Sequence, residues 1–226
     1  MPNTATSYQL ALQQLTDSAL PTGAFAHSLG FETYIDRGLV RDEASFSTWL
    51  SAFVGQQLTY SDGLAIRFLY DGTPVEELES LLTAQLLPRQ LREASTKMGG
   101  RLLEIGAEVF PSAAVEAYRA LVRDGRADGH QPLAFAVVAR SLGVPFEEAL
   151  SAYLFATMTS LTQNAVRAIP LGQNAGQRVL RKAHDDVAAA VGRILHLGWD
   201  DFGALSPGLE ISQMRHERQR ARMFMS

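Results

Sequence analysis

One segment near the start of the chain gathers residue types that could do acid–base or nucleophilic chemistry. Between Asp17 and Glu32, two carboxylates, a histidine and a serine are arranged around a proline and two glycines. His27 could serve as a general base with Asp17 or Glu32 beside it. Pro21 fixes its own φ and Gly23 permits backbone angles that are closed to other residues, so the segment is predicted to form a shaped turn between two helices. Such a turn is either an active site or a docking surface.

The catalytic interpretation lacks the pattern that usually accompanies it. His27 and Ser28 are neighbours in the chain, so on one helix their side chains would diverge by about 100°. No Gly-x-Ser-x-Gly nucleophile elbow occurs in the sequence. We therefore favour structural roles, with Ser28 bonding locally and His27 bonding a backbone group. The alternative is a small all-helical hydrolase or lyase that uses His27 with Asp17 or Glu32.

The sequence carries no motif for a resident metal or nucleotide. It has no cysteine, no phosphate-binding loop and no pair of histidines spaced four residues apart. We expect that this chain binds no metal and no cofactor of its own. One alternative is a weak site that shares a histidine from each subunit across a dimer axis. The five histidines are His27, His130, His184, His196 and His216.

The bulk composition argues against nucleic-acid and membrane proteins. The chain has 226 residues, of which 46% are hydrophobic, and a net charge of -4. Mild acidity disfavours general binding to nucleic acid or to anionic membranes. No apolar run approaches the roughly 20 residues of a membrane span, and residues 1–4 show no start of a secretory leader. We therefore expect a cytoplasmic protein that binds neither nucleic acid nor membrane.

Nearly every apolar segment repeats at the three-and-four spacing of one helix face. The clearest repeats run through residues 46–54, 146–161 and 179–194. Thr73 and Pro74 predict a capped helix start, with Pro74 as the first helical residue. The alternation typical of strands is not found. The fold class is therefore predicted to be all-α, a single-domain bundle of about eight to ten helices.

Two segments interrupt the helical pattern in an informative way. Gly99 and Gly100 lie inside a helical repeat, where each glycine costs about 1 kcal/mol relative to alanine. They are predicted to permit close helix packing or a kink. The stretch from Ala168 to Gln173 contains Pro170 and is predicted to be the turn between two long helices.

The end of the chain has an unusual mixture of side chains. Residues 211–226 include four arginines, three methionines and a phenylalanine. A basic segment of this kind could meet a membrane or nucleic acid through Arg215, Arg218, Arg220 and Arg222. We favour a groove on a partner protein, because arginine, methionine and aromatic residues are enriched at protein interfaces. Residues 206–226, called the tail below, are thus predicted to dock on a partner.

Four motifs in this order resemble the UreF family of urease accessory proteins. The resemblance covers the whole length of the chain, and the four motifs together are specific although each alone is weak. Phe31 and Met223 stand where that family usually has leucine, and both replacements keep an apolar side chain. The motifs are Asp17–Glu32, Met98–Leu103, Pro170–Gln173 and Met214–Ser226.

The resemblance implies a scaffold and not an enzyme. Members of the family are all-helical cytoplasmic homodimers that join UreD (also called UreH) and the GTPase UreG, so that carbon dioxide and nickel reach apo-urease. GTP and magnesium would belong to UreG, and nickel would pass through the assembly. The tail and parts of the N-terminal region would dock on UreD/UreH, and the UreG dimer would contact the Asp17–Glu32 turn. The positions implied to bind partners are Asp17, Ser18, Pro21, Gly23, Phe25, His27, Ser28, Gly30, Glu32, Pro170, Leu171, Gly172, Gln173, Met214, His216, Glu217, Arg222 and Phe224.

Overall fold

Helices make up most of the chain that the computed structural model describes, which is residues 4–204 and 206–226, with side chains from residue 7 onward. No strand occurs in these two ranges, and the helices pack into one domain. The all-α prediction is confirmed. Residues 1–3, part of the stretch without a visible secretory leader, lie outside the described residues. No helix in the described ranges is long and apolar enough to cross a membrane.

Eleven α-helical elements follow one another along the chain, and α3 and α4 are joined without a break by a π-helical stretch, Phe53–Gly63. The described ranges thus contain ten continuous helices, in agreement with the predicted number. Two short 3₁₀ turns lie at Ala24–Ala26 and Trp199–Asp201. The α-helices are α1 (Thr4–Thr16), α2 (Phe31–Asp36), α3 (Glu43–Ala52), α4 (Leu64–Asp71), α5 (Val75–Gln85), α6 (Arg89–Val109), α7 (Ala113–Arg123), α8 (Gln131–Ser141), α9 (Phe146–Ala168), α10 (Gln173–Ile194) and α11 (Pro207–His216).

The centre of the fold is α8, in which every residue from 132 to 139 is buried. A helix that is apolar on all sides must be surrounded by others, and here α4, α6, α7 and α9 pack around it. The long helices α9 and α10 form a hairpin across the predicted turn at Ala168–Gln173. The predicted inner face of α10 is confirmed, because Val179, Ala183, Val187, Val191 and Ile194 are all buried.

The start of α5 differs from its prediction. Pro74 has φ −57° and ψ 136°, which is an extended and not a helical conformation, and it precedes the first helical residue, Val75. No side chain caps this end. The predicted capped start, with Pro74 as the first helical residue, is therefore wrong. The Thr73 N–H instead donates to the carbonyl of Phe68 (2.9 Å), in the turn that closes α4 after Gly72 takes a left-handed conformation.

Close packing explains one of the two adjacent glycines in α6. A Cβ on Gly99 would overlap the carbonyl oxygen of Gly129 and lie 2.7 Å from the amide nitrogen of Gln131, whereas a Cβ on Gly100 would meet nothing within 4 Å. Helix α6 therefore approaches the 129–131 backbone directly through Gly99. That backbone is held in turn by Glu79 on α5, whose carboxylate accepts from the N–H groups of residues 128–130 at 2.7 to 2.9 Å.

Candidate functional site

The first and last motifs of the sequence meet in the folded chain. The Met225 N–H donates to the carbonyl of Ala26 (2.8 Å), and the main-chain oxygen of Ser226 accepts from the N–H groups of Ser28 (2.5 Å) and Leu29 (3.1 Å). The Ser28 hydroxyl donates to the same oxygen at 2.7 Å. Residues 24–32 therefore form a receptor for the end of the tail, which we call the tail cradle.

The backbone of the tail cradle is strained where it turns to bind the tail. Leu29 has φ +51° and is the non-glycine residue with a positive φ in the described ranges; Gly30 follows with φ +100°. Two buried amides hold this conformation. Asn164 on α9 donates to the carbonyl of His27 (2.7 Å) and Gln213 on α11 donates to that of Leu29 (3.0 Å). Such strain persists only when surrounding contacts determine the conformation.

Glu32, the last residue of the cradle, binds the tail through both of its carboxylate oxygens. Oε1 accepts from the N–H of Met223 (2.6 Å), and Oε2 accepts from the N–H of Phe224 (3.1 Å). His216 also places its Nε2 2.9 Å from Oε2. The side chain of Glu32 is 12% exposed and that of His216 is 1% exposed. These bonds fasten the tail to α2.

Phe224 provides the apolar part of the contact. It is buried and lies 5.6 Å, between ring centroids, from Phe31, while the guanidinium of Arg167 lies 5.1 Å from its ring. Phe31 in turn contacts Phe46 and Trp49 of α3. Phe224 and Ser226 are buried, whereas Met223 and Met225 are exposed. The tail thus joins the aromatic core on one side and presents two methionines on the other.

The ring of His27 contacts the tail directly, and no carboxylate lies between them. Its Nδ1 lies 2.8 Å from the Ser226 hydroxyl oxygen, so the predicted bond to a backbone group is replaced by a bond to a side chain 199 residues away. Burial lowers the pKa of His27, and the positive charge of Lys97 lowers it further. The ring is therefore neutral in the folded protein at neutral pH.

This neutral histidine predicts an acid limit to stability. Below the ordinary pKa of 6.5, the unfolded chain binds a proton at His27 that the folded chain does not, so the free energy of unfolding falls as pH falls through that range. Replacing His27 by Gln should flatten this dependence in urea unfolding measured at several pH values. The matched variant His196→Gln changes an exposed ring and should keep the wild-type slope. Equal slopes in the wild type and His27→Gln would contradict the assignment.

The arrangement does not support acid–base catalysis at the turn. Asp17 accepts the N–H of Ala19 (2.8 Å), and Glu32 is committed to the tail, so neither carboxylate orients His27. Both Asp17 and His27 border a cavity of about 130 Å³ whose other walls are mostly apolar. The pKa of Asp62 is raised by its burial, but Asp62 accepts the hydroxyl of Tyr153 (2.6 Å) and does not pair with His27.

One cluster in the described ranges has the composition of a metal site, namely Glu79, Asp128 and His130. The oxygen and nitrogen atoms that could bind a metal already have hydrogen-bond partners in the protein. Besides three N–H groups, Glu79 accepts the hydroxyl of Tyr118, and Asp128 accepts that of Thr83. The two ring nitrogens of His130 lie 2.9 and 3.1 Å from the hydroxyl oxygens of Thr83 and Ser95. The cluster is a hydrogen-bonded support for the loop before α8.

The structure places the predicted site residues in a buried set and in an accessible set, which comprises half-buried and exposed residues. The buried residues bind other parts of the same chain, and the accessible residues surround them. Partner binding by either set stays a prediction. The buried residues are His27, Ser28, Gly30, Leu171, His216 and Phe224; the half-buried ones are Gly23, Glu32 and Glu217; the exposed ones are Asp17, Ser18, Pro21, Phe25, Pro170, Gly172, Gln173, Met214 and Arg222.

Sequence reasoning missed four residues that support the site. Asn164 and Gln213 hold the cradle backbone, Arg167 covers Phe224, and Gln90 lies 2.8 Å from Nδ1 of His216. The sequence contained only a weak indication of these residues. Asn164 is a polar residue on a helix that is apolar at most inward positions, and a buried amide of this kind needs a specific partner.

Comparison with known proteins identifies several relatives. A family model described as UreF matches residues 40–184. The urease accessory protein UreF of Arthrobacter sp. (strain FB24) is 83% identical over 222 residues, which is 98% of this chain and 99% of the relative. That of Paenarthrobacter aurescens (strain TC1) is 80% identical over 220 residues, 97% of this chain and 99% of the relative. That of Lachnoclostridium phytofermentans (strain ATCC 700394 / DSM 18823 / ISDg) is 43% identical over 226 residues, 97% of this chain and 99% of the relative.

Proposed function

Because this chain belongs to the UreF family of urease accessory proteins, which are not enzymes, we propose that it acts as a scaffold in urease maturation. It joins UreD/UreH and the GTPase UreG, and the assembly delivers nickel and carbon dioxide to apo-urease. GTP and magnesium belong to UreG, nickel passes through the complex, and this chain holds no cofactor of its own. It acts in the cytoplasm as a homodimer and binds neither nucleic acid nor membrane.

The proposal rests on the contact between the tail and the tail cradle. Three exposed apolar side chains lie on the tail and the tail cradle. Their exposed fractions are 63% for Phe25, 57% for Met223 and 58% for Met225. The N–H of Met225 donates to the carbonyl of Ala26, the residue after Phe25, and in this proposal the three side chains form one surface. Contiguous exposed apolar groups mark interaction sites, and methionine and phenylalanine are enriched in them. We assign this surface, called the Phe25–Met225 face, to UreD/UreH.

The exposed side of the turn before the cradle is assigned to UreG. Asp17, Ser18 and Pro21 are accessible there, and the polar side chains of Asp17 and Ser18 suit the rim of an interface. In this proposal the buried residues of the signature position the docked tail, and the exposed ones meet the partners. His27 and Glu32 therefore support the docking surface from below.

Charge placed on the Phe25–Met225 face should prevent capture of UreD/UreH without unfolding the protein. We expect the double variant Phe25→Glu and Met225→Glu to weaken the complex at least about thirtyfold, since central interface residues contribute about 2 kcal/mol or more. Its urea midpoint should change little, because substitutions of exposed side chains stay within about 0.5 kcal/mol. The measurement is affinity capture of purified UreD/UreH by the tagged chain.

A matched control changes an exposed apolar residue elsewhere. Leu39 is 53% exposed and follows α2, so Leu39→Glu should retain capture. Equal capture by the double variant and the wild type would reject the face as the UreD/UreH site. The wider proposal is tested by reconstitution of apo-urease with nickel, bicarbonate, GTP, UreD/UreH and UreG. Full urease activity without this chain would reject the scaffold role.

A further inference from the structure

A partly enclosed cavity lies between the segment 15–29 and the helices α6, α8 and α9. Its volume is about 130 Å³, and an apolar cavity of about 150 Å³ is known to take up a benzene ring. Some of its walls are buried, and others are the exposed residues Asp17, Ser18, Phe25 and Gln163. The cavity therefore leads from the surface into the core and has room for one aromatic ring.

The buried walls of this cavity are almost entirely apolar. Met98 and Leu102 belong to the second of the four motifs, Met98–Leu103, to which the proposed function assigns no role. The other buried apolar walls are Leu15 of α1, Phe135 of α8 and Leu161 of α9. A ring that enters the cavity is removed from water on most sides, which is favourable in proportion to the apolar area that is buried.

His27 and Tyr153 are the polar residues among the buried walls. The hydroxyl of Tyr153 donates to Asp62 at 2.6 Å. His27 uses its Nδ1 for the Ser226 hydroxyl oxygen, and its Nε2 has no hydrogen-bond partner in the part of the chain that the structure describes. Burial lowers the pKa of His27, so the ring is neutral and Nε2 carries either a hydrogen or a lone pair, depending on the tautomer. A hydroxyl group can bond either form, because it both donates and accepts.

We propose that the cavity is a binding site for one phenol ring, supplied by a tyrosine side chain of the protein that docks on the exposed side of the turn. The inference rests on the proposed function, in which that protein is UreG. A phenol combines an apolar body, which the walls bury, with a hydroxyl, which Nε2 of His27 bonds.

The rim of the cavity favours a side chain of a docked protein over a free small molecule. Asp17 and Ser18 border the cavity and also form the surface assigned to UreG. A protein docked there covers the mouth, and one of its side chains can enter without a separate path. Aromatic anchors that fill a pocket inside a polar rim contribute much of the binding energy of protein interfaces.

Filling the cavity tests the docking. Ala156 of α9 is half-buried and borders the cavity, so Ala156→Leu adds three carbon atoms where the ring would lie. We expect the complex of this chain with UreD/UreH to bind UreG at least about thirtyfold less tightly, as on loss of a central anchor. Capture of UreD/UreH and the urea midpoint should not fall, because filling a cavity commonly stabilises a protein. The control Ala188→Leu enlarges an exposed residue of α10 and should leave the affinity for UreG unchanged.

A free phenol tests the chemistry of the site without a partner. p-Cresol has the structure of a tyrosine side chain, and toluene lacks only its hydroxyl. In carbon-13 NMR of the isolated full chain, p-cresol should shift the methyl signals of Met98 and Leu102. It should bind at least about threefold more tightly than toluene, because of the hydrogen bond to His27, and should compete with UreG for the wild-type complex. Absence of p-cresol binding, or equal binding of the two compounds, would overturn the proposal.

The two measurements separate the phenol site from the function on which it rests. Equal capture of UreG by the wild type and Ala156→Leu would overturn the proposal and leave the scaffold role intact; p-cresol binding would then indicate a site for a free small molecule. If Ala156→Leu does not fold, competition between p-cresol and UreG decides the same question. Failure of the wild-type complex to capture UreG would reject the assignment of the turn to UreG. In that case p-cresol binding to the isolated chain would support the phenol site, and its absence would overturn it.

Discussion

Glu32→Ala is expected to detach the tail from the body of the protein. The substitution removes the acceptor of two N–H groups and a hydrogen-bond partner of the His216 ring. Hydrogen bonds to a charged group contribute about 1.5–3 kcal/mol each, so loss of the two N–H bonds is expected to exceed what the remaining bonds at Ser226 supply. Native-state hydrogen exchange should show residues 222–226 opening in the variant, and capture of UreD/UreH should be lost.

The control for this prediction is Glu217→Ala. Glu217 also carries a carboxylate beside His216, but it is half-buried and pairs with the exposed Arg89. Exposed ion pairs contribute about 0–1 kcal/mol, so this variant should keep the tail in place. If the tail amides are as well protected from hydrogen exchange in Glu32→Ala as in the wild type, the contacts of Glu32 do not hold the tail.

Gly99→Ala is expected to be the most disruptive single-methyl change in α6. The added Cβ would overlap the carbonyl of Gly129, and both obstructing groups are backbone atoms in a loop that Glu79 fixes. Neither side can yield through a rotamer change, so α6 and α8 must separate. Overpacking of a core costs about 1–3 kcal/mol and sometimes more, and here we expect at least about 3 kcal/mol because no flexible atom absorbs the clash. Thermal unfolding of the purified variant measures the loss.

The neighbouring glycine provides a matched comparison. A Cβ on Gly100 meets nothing within 4 Å, so Gly100→Ala should gain about 0.5–1 kcal/mol from the better helix propensity of alanine. The two variants differ by one position and by the sign of their effect. A loss of stability in both would show that α6 needs flexibility at this point and not close approach.

The helical architecture was predictable because it depends on local order. The apolar faces of α9 and α10 repeat within single segments, and a three-and-four repeat allows one conformation to bury them. The break at Pro170 was predictable for the same reason. The start of α5 was predicted wrongly by one residue, since a proline before a helix suits both the cap position and the first helical position.

The two adjacent glycines show what could not be predicted from neighbouring residues alone. Both Gly99 and Gly100 interrupt a helical repeat, and the sequence predicts close packing for either one. Only the position of the 129–131 backbone distinguishes them, and that position depends on Glu79, which lies on another helix.

The sequence was sufficient for the fold class, for the helix faces and for the four motifs that indicate the UreF family, because each of these is a pattern among neighbouring residues. It could not predict that Glu32 binds the tail, that His27 faces Ser226 or that His216 lies between Glu32 and Gln90. Those contacts join residues more than 120 positions apart in the chain, and they exist only after all the intervening helices have packed. The tertiary structure alone therefore decided which signature residues support the tail and which remain exposed.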